Sequence, residues 1–139
     1  MKEINLGDDA LPIREFKLET MRDNPSICMV AKRGSGKSYL CRDILRKDKR
    51  LSSGVIIAPT DRMSNFYSSM FPEEFIYYKF DPVILEKIYY RQLELKEKLE
   101  EKKKQGKKFN MKMFLLMDDC LATAASWKKD ETITEMFFN

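Results

Sequence analysis

The stretch MVAKRGSGKSYL, residues 29 to 40, places Gly34, Gly36, Lys37 and Ser38 within five residues, directly after an apolar run. Its inner residues Ala31, Lys32, Arg33, Gly34, Ser35, Gly36, Lys37 and Ser38 fit the phosphate-loop pattern, with Ala31 where that pattern has its first glycine. A match this relaxed arises by chance in a chain of this size on the order of 1% of the time. The pattern carries chemistry only if the loop leaves a strand and opens a helix. Backbone N–H groups then wrap a phosphate and the helix N-terminus adds its positive end. The flanks meet that demand. SICMVA (26–31) has no polar alternation and predicts a strand buried on both faces, while KSYLCRDILRK (37–47) carries Leu40, Ile44 and Leu45 at helical spacing. Gly34 and Gly36 permit backbone angles and a close approach that a Cβ would hinder. Lys37 is expected to meet the β and γ phosphates of ATP and the Ser38 hydroxyl to bind Mg²⁺, with Tyr39 next to them in the nucleotide-binding set. The competing reading is a glycine turn with a solvated lysine.

Composition narrows the rest. At 139 residues with 43% hydrophobic and 12% aromatic residues, the chain has material for one core and is short for two domains. It contains no histidine, which removes imidazole bases, Ser-His-Asp triads and histidine metal sites together. Cys28, Cys41 and Cys120 are widely spaced and odd in number, which speaks against a disulfide framework or a zinc site. The N-terminus lacks an apolar signal region and no run approaches the ~20 apolar residues of a membrane helix, so a soluble, non-exported protein is expected. Residues 1–24 read as an N-terminal segment and 25–139 as the core domain.

Further along, GVIIAP (54–59) reads as a second buried strand stopped by Pro59, and EFIYYKF (74–80) as a third, closed by Asp81-Pro82. From Pro82 a long helix is expected to about Gly106, with Ile84, Ile88, Leu95 and Leu99 on one stripe. Glu94 with Lys98 and Glu100 with Lys104 are favourable i,i+4 pairs on its solvated face. MKMFLLM (111–117) is another strand, and ITEMFF (133–138) is helical. Strands alternating with helices predict an α/β fold with a mostly parallel sheet covered on both faces.

The second signal is MFLLMDDC, Met113 to Cys120, in which four apolar residues lead into adjacent acids. A buried strand would deliver Asp118 and Asp119 to the carboxyl edge of the sheet, where open α/β sheets bind ligands. One such acid suits the Mg²⁺-linked carboxylate of a P-loop NTPase, and the second can orient or deprotonate an attacking water. Alone, a strand ending in two acids is also an ordinary polar turn.

NPSICMVAKRGSGKSYLCRDIL, GVIIAPTDRMSNFYSSMFPEEFIYYKF and MKMFLLMDDC together resemble the poxvirus-type DNA-packaging ATPases of large DNA viruses, within the FtsK/HerA group of P-loop NTPases. The similarity runs from Asn24 to Asn139. The loop is generic; the combination of APT, FY, FP and IYY with a strand ending in Asp-Asp-Cys is more specific. The resemblance implies a three-layer P-loop NTPase that forms a homo-oligomeric ring and moves double-stranded DNA into a capsid. It implies action at a viral assembly site in the host cytoplasm or in the virion, with capsid proteins as further partners. It implies ATP and Mg²⁺ as cofactors, Lys37 and Ser38 on the nucleotide, Asp118 on the metal and Asp119 as the catalytic acid. It also implies a strand, carrying a polar sensor, between the acidic strand and the loop strand; no such segment follows Phe138, so the fold is expected to be truncated before the sensor strand.

Weaker features remain. Lys32, Arg33, Arg42, Arg46, Lys47, Lys49 and Arg50 cluster around the first helix, and Lys102, Lys103, Lys104, Lys107 and Lys108 precede the acidic strand, either as DNA-backbone patches or as solvated faces. Trp127, Phe137 and Phe138 read as core or subunit packing, and Cys120 as packing because no activating base is visible. Two other functions stay open: a nucleoside or nucleotide kinase, and a non-hydrolysing nucleotide-binding interaction module.

Overall fold

The computed structural model describes residues 2–5, 10–13, 16–48, 51, 53–120 and 129–138, with only the backbone described for 2–5, 10–13, 137 and 138. Two compact units divide the chain, Met1–Lys37 and Ser38–Asn139. In the first, β1 (Lys2–Asn5) pairs antiparallel with β2 (Ala10–Ile13), Lys2 opposite Ile13 and Asn5 opposite Ala10. A single 3₁₀ turn follows at Leu18–Thr20.

The strand expected over 26–31 does not form. Residues 25–32 carry no regular structure, and Val30 is 91% exposed. Apolar composition favours a strand, but a strand persists only when its N–H and C=O groups pair with a neighbouring backbone. In the described sheets no strand pairs with this segment. The chain turns through Gly34 (φ +77°) and Gly36 (φ +90°) and enters α1 (Lys37–Lys47), the expected helix. The apolar stripe of α1 is incompletely covered: none of its residues is fully buried, and Leu40 is 55% exposed.

The second unit is built on a parallel sheet. β3 (Ser53–Ile57) is central, flanked by β4 (Ile76–Tyr77) and β5 (Met113–Met117) in the order β4-β3-β5. Ser53 lies opposite Met113 and Ile57 opposite Met117, so the two strands end level. β4 is shorter than the expected third strand: Glu73–Phe75 form a 3₁₀ turn ahead of it, and beyond Tyr77 the chain bends so that Phe80 enters the core. α2 (Asp61–Ser64) follows β3, and its C-terminus is closed by Asn65 at φ +50°, a left-handed position that asparagine tolerates. α3 (Pro82–Lys104) begins with the Asp81 side chain accepting from Val83 N at 3.0 Å and Pro82 in the first turn. It ends at Gly106 (φ +68°), where Lys107 N donates to Lys102 O at 2.9 Å and closes the last turn. Glu100 meets Lys103 at 3.3 Å, one residue earlier than the expected partner, in an exposed pair that contributes little. α4 (Glu131–Phe138) confirms the expected terminal helix.

Alternation along the strands gives the sheet two packed faces. Val55, Ile57, Met113, Leu115 and Met117 face Phe80, Ile84, Leu85 and Ile88 of the α3 region together with Ile133 and Met136 of α4. Ile56, Ala58, Phe114 and Leu116 face Phe66, Tyr67 and Phe71 from the segment after α2. The mixed helix and strand content and the small parallel sheet are those of an α/β fold. β5 has β3 on one edge and, among the described residues, no strand on the other.

One position in this sheet tolerates no side chain. A Cβ on Gly54 would overlap the ring of Phe114, its partner across the β3–β5 ladder, and that ring is also held by Phe71 at 5.9 Å. Gly54→Ala is expected to destabilise the fold by about 1–3 kcal/mol through overpacking. Urea unfolding measures it, and a variant as stable as the parent shows that the Phe114 ring yields freely.

Candidate functional site

The two parallel strands that end level at Ile57 and Met117 bring their carboxyl ends to one edge, and the site is built there. Asp118 N donates to Ile57 O at 3.0 Å, extending the ladder by one residue and fixing where the Asp118 carboxylate emerges. The chain then turns sharply through Asp119, whose φ of +56° is left-handed. Asp is among the few L residues that tolerate this region, and a non-glycine residue held there often marks a functional turn. Cys120 follows, buried in the core, its thiol donating to the same Ile57 carbonyl at 3.4 Å and to Asp118 O at 3.5 Å. Burial, then the charges of Asp118 and Asp119, push that thiol up to about 11, so it stays protonated and serves packing and the turn rather than nucleophilic attack.

Asp118 is the focus of the second unit. Ser38 Oγ, 80 residues away in sequence, donates to Asp118 Oδ2 at 2.7 Å. Tyr67 Oη donates to the same oxygen, also at 2.7 Å. Oδ1 accepts no hydrogen bond from any described residue. Burial first, then the hydrogen bond and charge of Asp118, hold the Tyr67 phenol far above its ordinary value, so it remains a donor. The Cys41 thiol is also raised, by burial and then by Asp118. Asp119 is exposed and accepts no hydrogen bond from the described residues.

The expected loop residues of the first unit form a set of their own. Ala31, Lys32, Arg33, Gly34 and Ser35 are exposed and Gly36 is half-buried. Ser35 N donates to Lys32 O at 3.2 Å, closing the turn, and Lys37 Nζ donates to the carbonyls of Ala31 at 2.8 Å and Lys32 at 3.1 Å. The ammonium thus stands over its own loop, and both glycines hold the positive φ expected of a chain that curls its N–H groups round an anion.

Several functional-site residues were not legible in advance. Tyr67 belongs to the FY pair of the resemblance but carries no expected role; only the tertiary structure brings its hydroxyl to Asp118. Asp61 is 1% exposed and accepts from Tyr67 N at 2.7 Å, Ser68 N at 3.1 Å and Ser64 Oγ at 3.4 Å, so a buried carboxylate organises the segment that carries Tyr67. Arg42, expected in a basic patch, instead lies over the rings of Tyr39 at 4.6 Å and Phe66 at 5.1 Å. Lys47 pairs with Asp43 at 3.6 Å, whereas Lys103, Lys104, Lys107 and Lys108 are exposed. Lys49, Arg50 and Trp127 lie outside the described residues, as do the side chains of Phe137 and Phe138.

Chemically, the second unit offers a carboxylate and an alcohol oxygen in contact. Hard oxygen donors of this kind suit Mg²⁺, which favours one or two protein ligands completed by substrate phosphates and water. Among the described residues no group of three His, Cys, Asp or Glu side chains stands ready to hold a metal by itself, and no helix is long and apolar enough to cross a membrane.

No known protein family matches the chain, and no solved structure does. Its relatives are viral. It is 46% identical over 127 residues to the uncharacterized protein L437 of Acanthamoeba polyphaga mimivirus, a match covering 91% of this chain and 45% of that protein. It is 27% identical over 142 residues to the uncharacterized protein 015R of Frog virus 3, covering 94% of this chain and 42% of the relative. With the uncharacterized protein 075L of Invertebrate iridescent virus 6 it shares 34% over 95 residues, 68% of this chain and 34% of the relative. The chain therefore spans less than half the length of each of these proteins of large DNA viruses.

Proposed function

We propose that the chain is the nucleotide-binding part of a P-loop ATPase that packages viral DNA. The observation that carries the reading is the 2.7 Å hydrogen bond from Ser38 to Asp118. A serine directly after the loop lysine and an acid directly after an apolar strand are the two protein groups that this class of enzyme uses for its metal. Nothing in their sequence positions requires them to meet, and an ordinary polar turn at Asp118 would have no reason to receive that serine. The left-handed glycines, the parallel sheet ending at the acids and the viral relatives support the same reading.

In this reading Ser38 and Asp118 would hold Mg²⁺, which neutralises phosphate charge. Lys37 contacts the β and γ phosphates, and backbone N–H groups between Ala31 and Ser38 wrap them. Tyr39 flanks the nucleotide. Water attacks the γ-phosphorus, ADP leaves, and Asp119 accepts the proton of the attacking water. The whole protein then works as a ring on double-stranded DNA, engaging capsid proteins at the assembly site or in the virion. Exposed lysines at 103–108 supply part of its contact with the DNA backbone.

The test is nucleotide titration and phosphate release with the full-length protein. Expected are Mg²⁺-dependent ATP binding and hydrolysis stimulated by DNA of any sequence. The DNA affinity should fall steeply between about 50 and 200 mM salt, because phosphate contacts release counterions. Hydrolysis indifferent to DNA but requiring a small phosphate acceptor would favour the kinase, and binding without turnover the interaction module.

A further inference from the structure

We infer that Tyr67 is a positioning residue for the Asp118 carboxylate, holding one of its oxygens so that the other is left for the metal. This rests on the reading of Asp118 as the metal acid. Two hydroxyls converge on Asp118 Oδ2, those of Ser38 and Tyr67, each at 2.7 Å, while Oδ1 has no partner among the described residues. The two donors are not equivalent. Ser38 is itself a candidate metal ligand: a cation on its oxygen lone pair leaves the O–H free to donate, but the place of the hydroxyl is then set by the cation as well as by the carboxylate. Tyr67 has no such second task. Its side chain is 2% exposed, its ring stands edge-on to Phe66 at 5.0 Å, and its backbone N–H is tied to the buried Asp61 at 2.7 Å. Ser68 N binds the other Asp61 oxygen at 3.1 Å, so the segment entering and leaving Tyr67 is anchored at two points. A phenol held this firmly fixes the plane of the carboxylate whether or not Ser38 stays bound to it. Partners of this kind, one step removed from the metal, typically govern metal affinity by 10–100-fold.

The experiment measures how much Mg²⁺ strengthens nucleotide binding, by titrating a fluorescent ATP analogue into the full-length protein in Mg²⁺ and again in EDTA. Tyr67→Phe removes only the hydroxyl and keeps the ring against Phe66. Expected is a Mg²⁺-linked gain reduced by about 10-fold, with affinity in EDTA within twofold of the parent and an unchanged unfolding midpoint. A purely structural tyrosine would weaken binding equally in both buffers. A variant that keeps the full Mg²⁺-linked gain overturns the inference and leaves the nucleotide reading standing. So does a variant that fails to fold, since the hydroxyl then serves the core. A parent protein that binds nucleotide equally well with and without Mg²⁺ removes the metal role of Asp118 itself, and both readings fall together.

Discussion

Asp119→Asn is expected to cut ATP turnover by about 10²-fold or more, some 2.7 kcal/mol of transition-state stabilisation, while nucleotide affinity stays within a few-fold. In the proposed mechanism Asp119 acts on the attacking water, an interaction realised in the transition state and hardly at all in the ground state. The choice of asparagine matters because residue 119 holds φ at +56°. Asparagine accepts that region as readily as aspartate, so the turn from β5 to the buried Cys120 survives and only the basicity is lost, whereas alanine would add backbone strain. Asp118→Ala should behave differently, losing Mg²⁺-dependent binding and turnover together. Lys37→Ala should lose both as well, since its ammonium contacts phosphates before and during the reaction. Steady-state phosphate release beside nucleotide titration separates the three. An Asp119→Asn protein that turns over at the parent rate would falsify the assignment of the base and remove its strongest residue-level support.

Asp61→Ala is expected to destabilise the second unit by about 3–4 kcal/mol, one of the largest single-residue effects available outside the apolar core. Asp61 is 1% exposed and accepts three hydrogen bonds, two of them from the backbone N–H groups of Tyr67 and Ser68. Removing the carboxylate leaves those donors without a partner in a region water does not freely reach, and each unsatisfied buried group costs about 1–3 kcal/mol. Asp61→Asn should lie between the two, because it keeps one acceptor oxygen but turns an NH₂ toward one of the N–H donors. Because Tyr67 rides on this segment, the alanine variant should also lose the Mg²⁺-linked part of nucleotide binding. Urea unfolding of both variants tests the first claim. A loss under about 1 kcal/mol for Asp61→Ala would mean that the packing of Phe66, Tyr67 and Phe71 against the sheet holds the segment unaided.

Much of this architecture is local in origin and was legible in the residues alone. Pro82 after Asp81 starts α3, Gly106 ends it, an unbroken apolar run makes β5, and two glycines before Lys37 force the turn into α1. Each depends on a few neighbouring residues, so period, caps and turn chemistry suffice. The same reasoning over-read SICMVA as a strand and lengthened β4, because a strand is finished by a partner that can lie anywhere in the chain. Tertiary structure decided what the site is made of. That Ser38 and Tyr67 share one oxygen of Asp118, and that a buried Asp61 holds Tyr67 there, are contacts spanning 80, 51 and 6 residues. Tyr67 reaches Asp118 by the fold of the 61–71 segment onto the sheet in which β3 lies beside β5. The sequence by itself determined which chemical groups were available and which short elements would carry them; the three-dimensional packing alone determined which of those groups meet, because hydrogen bonds and buried charges are selected by distance in space, not along the chain.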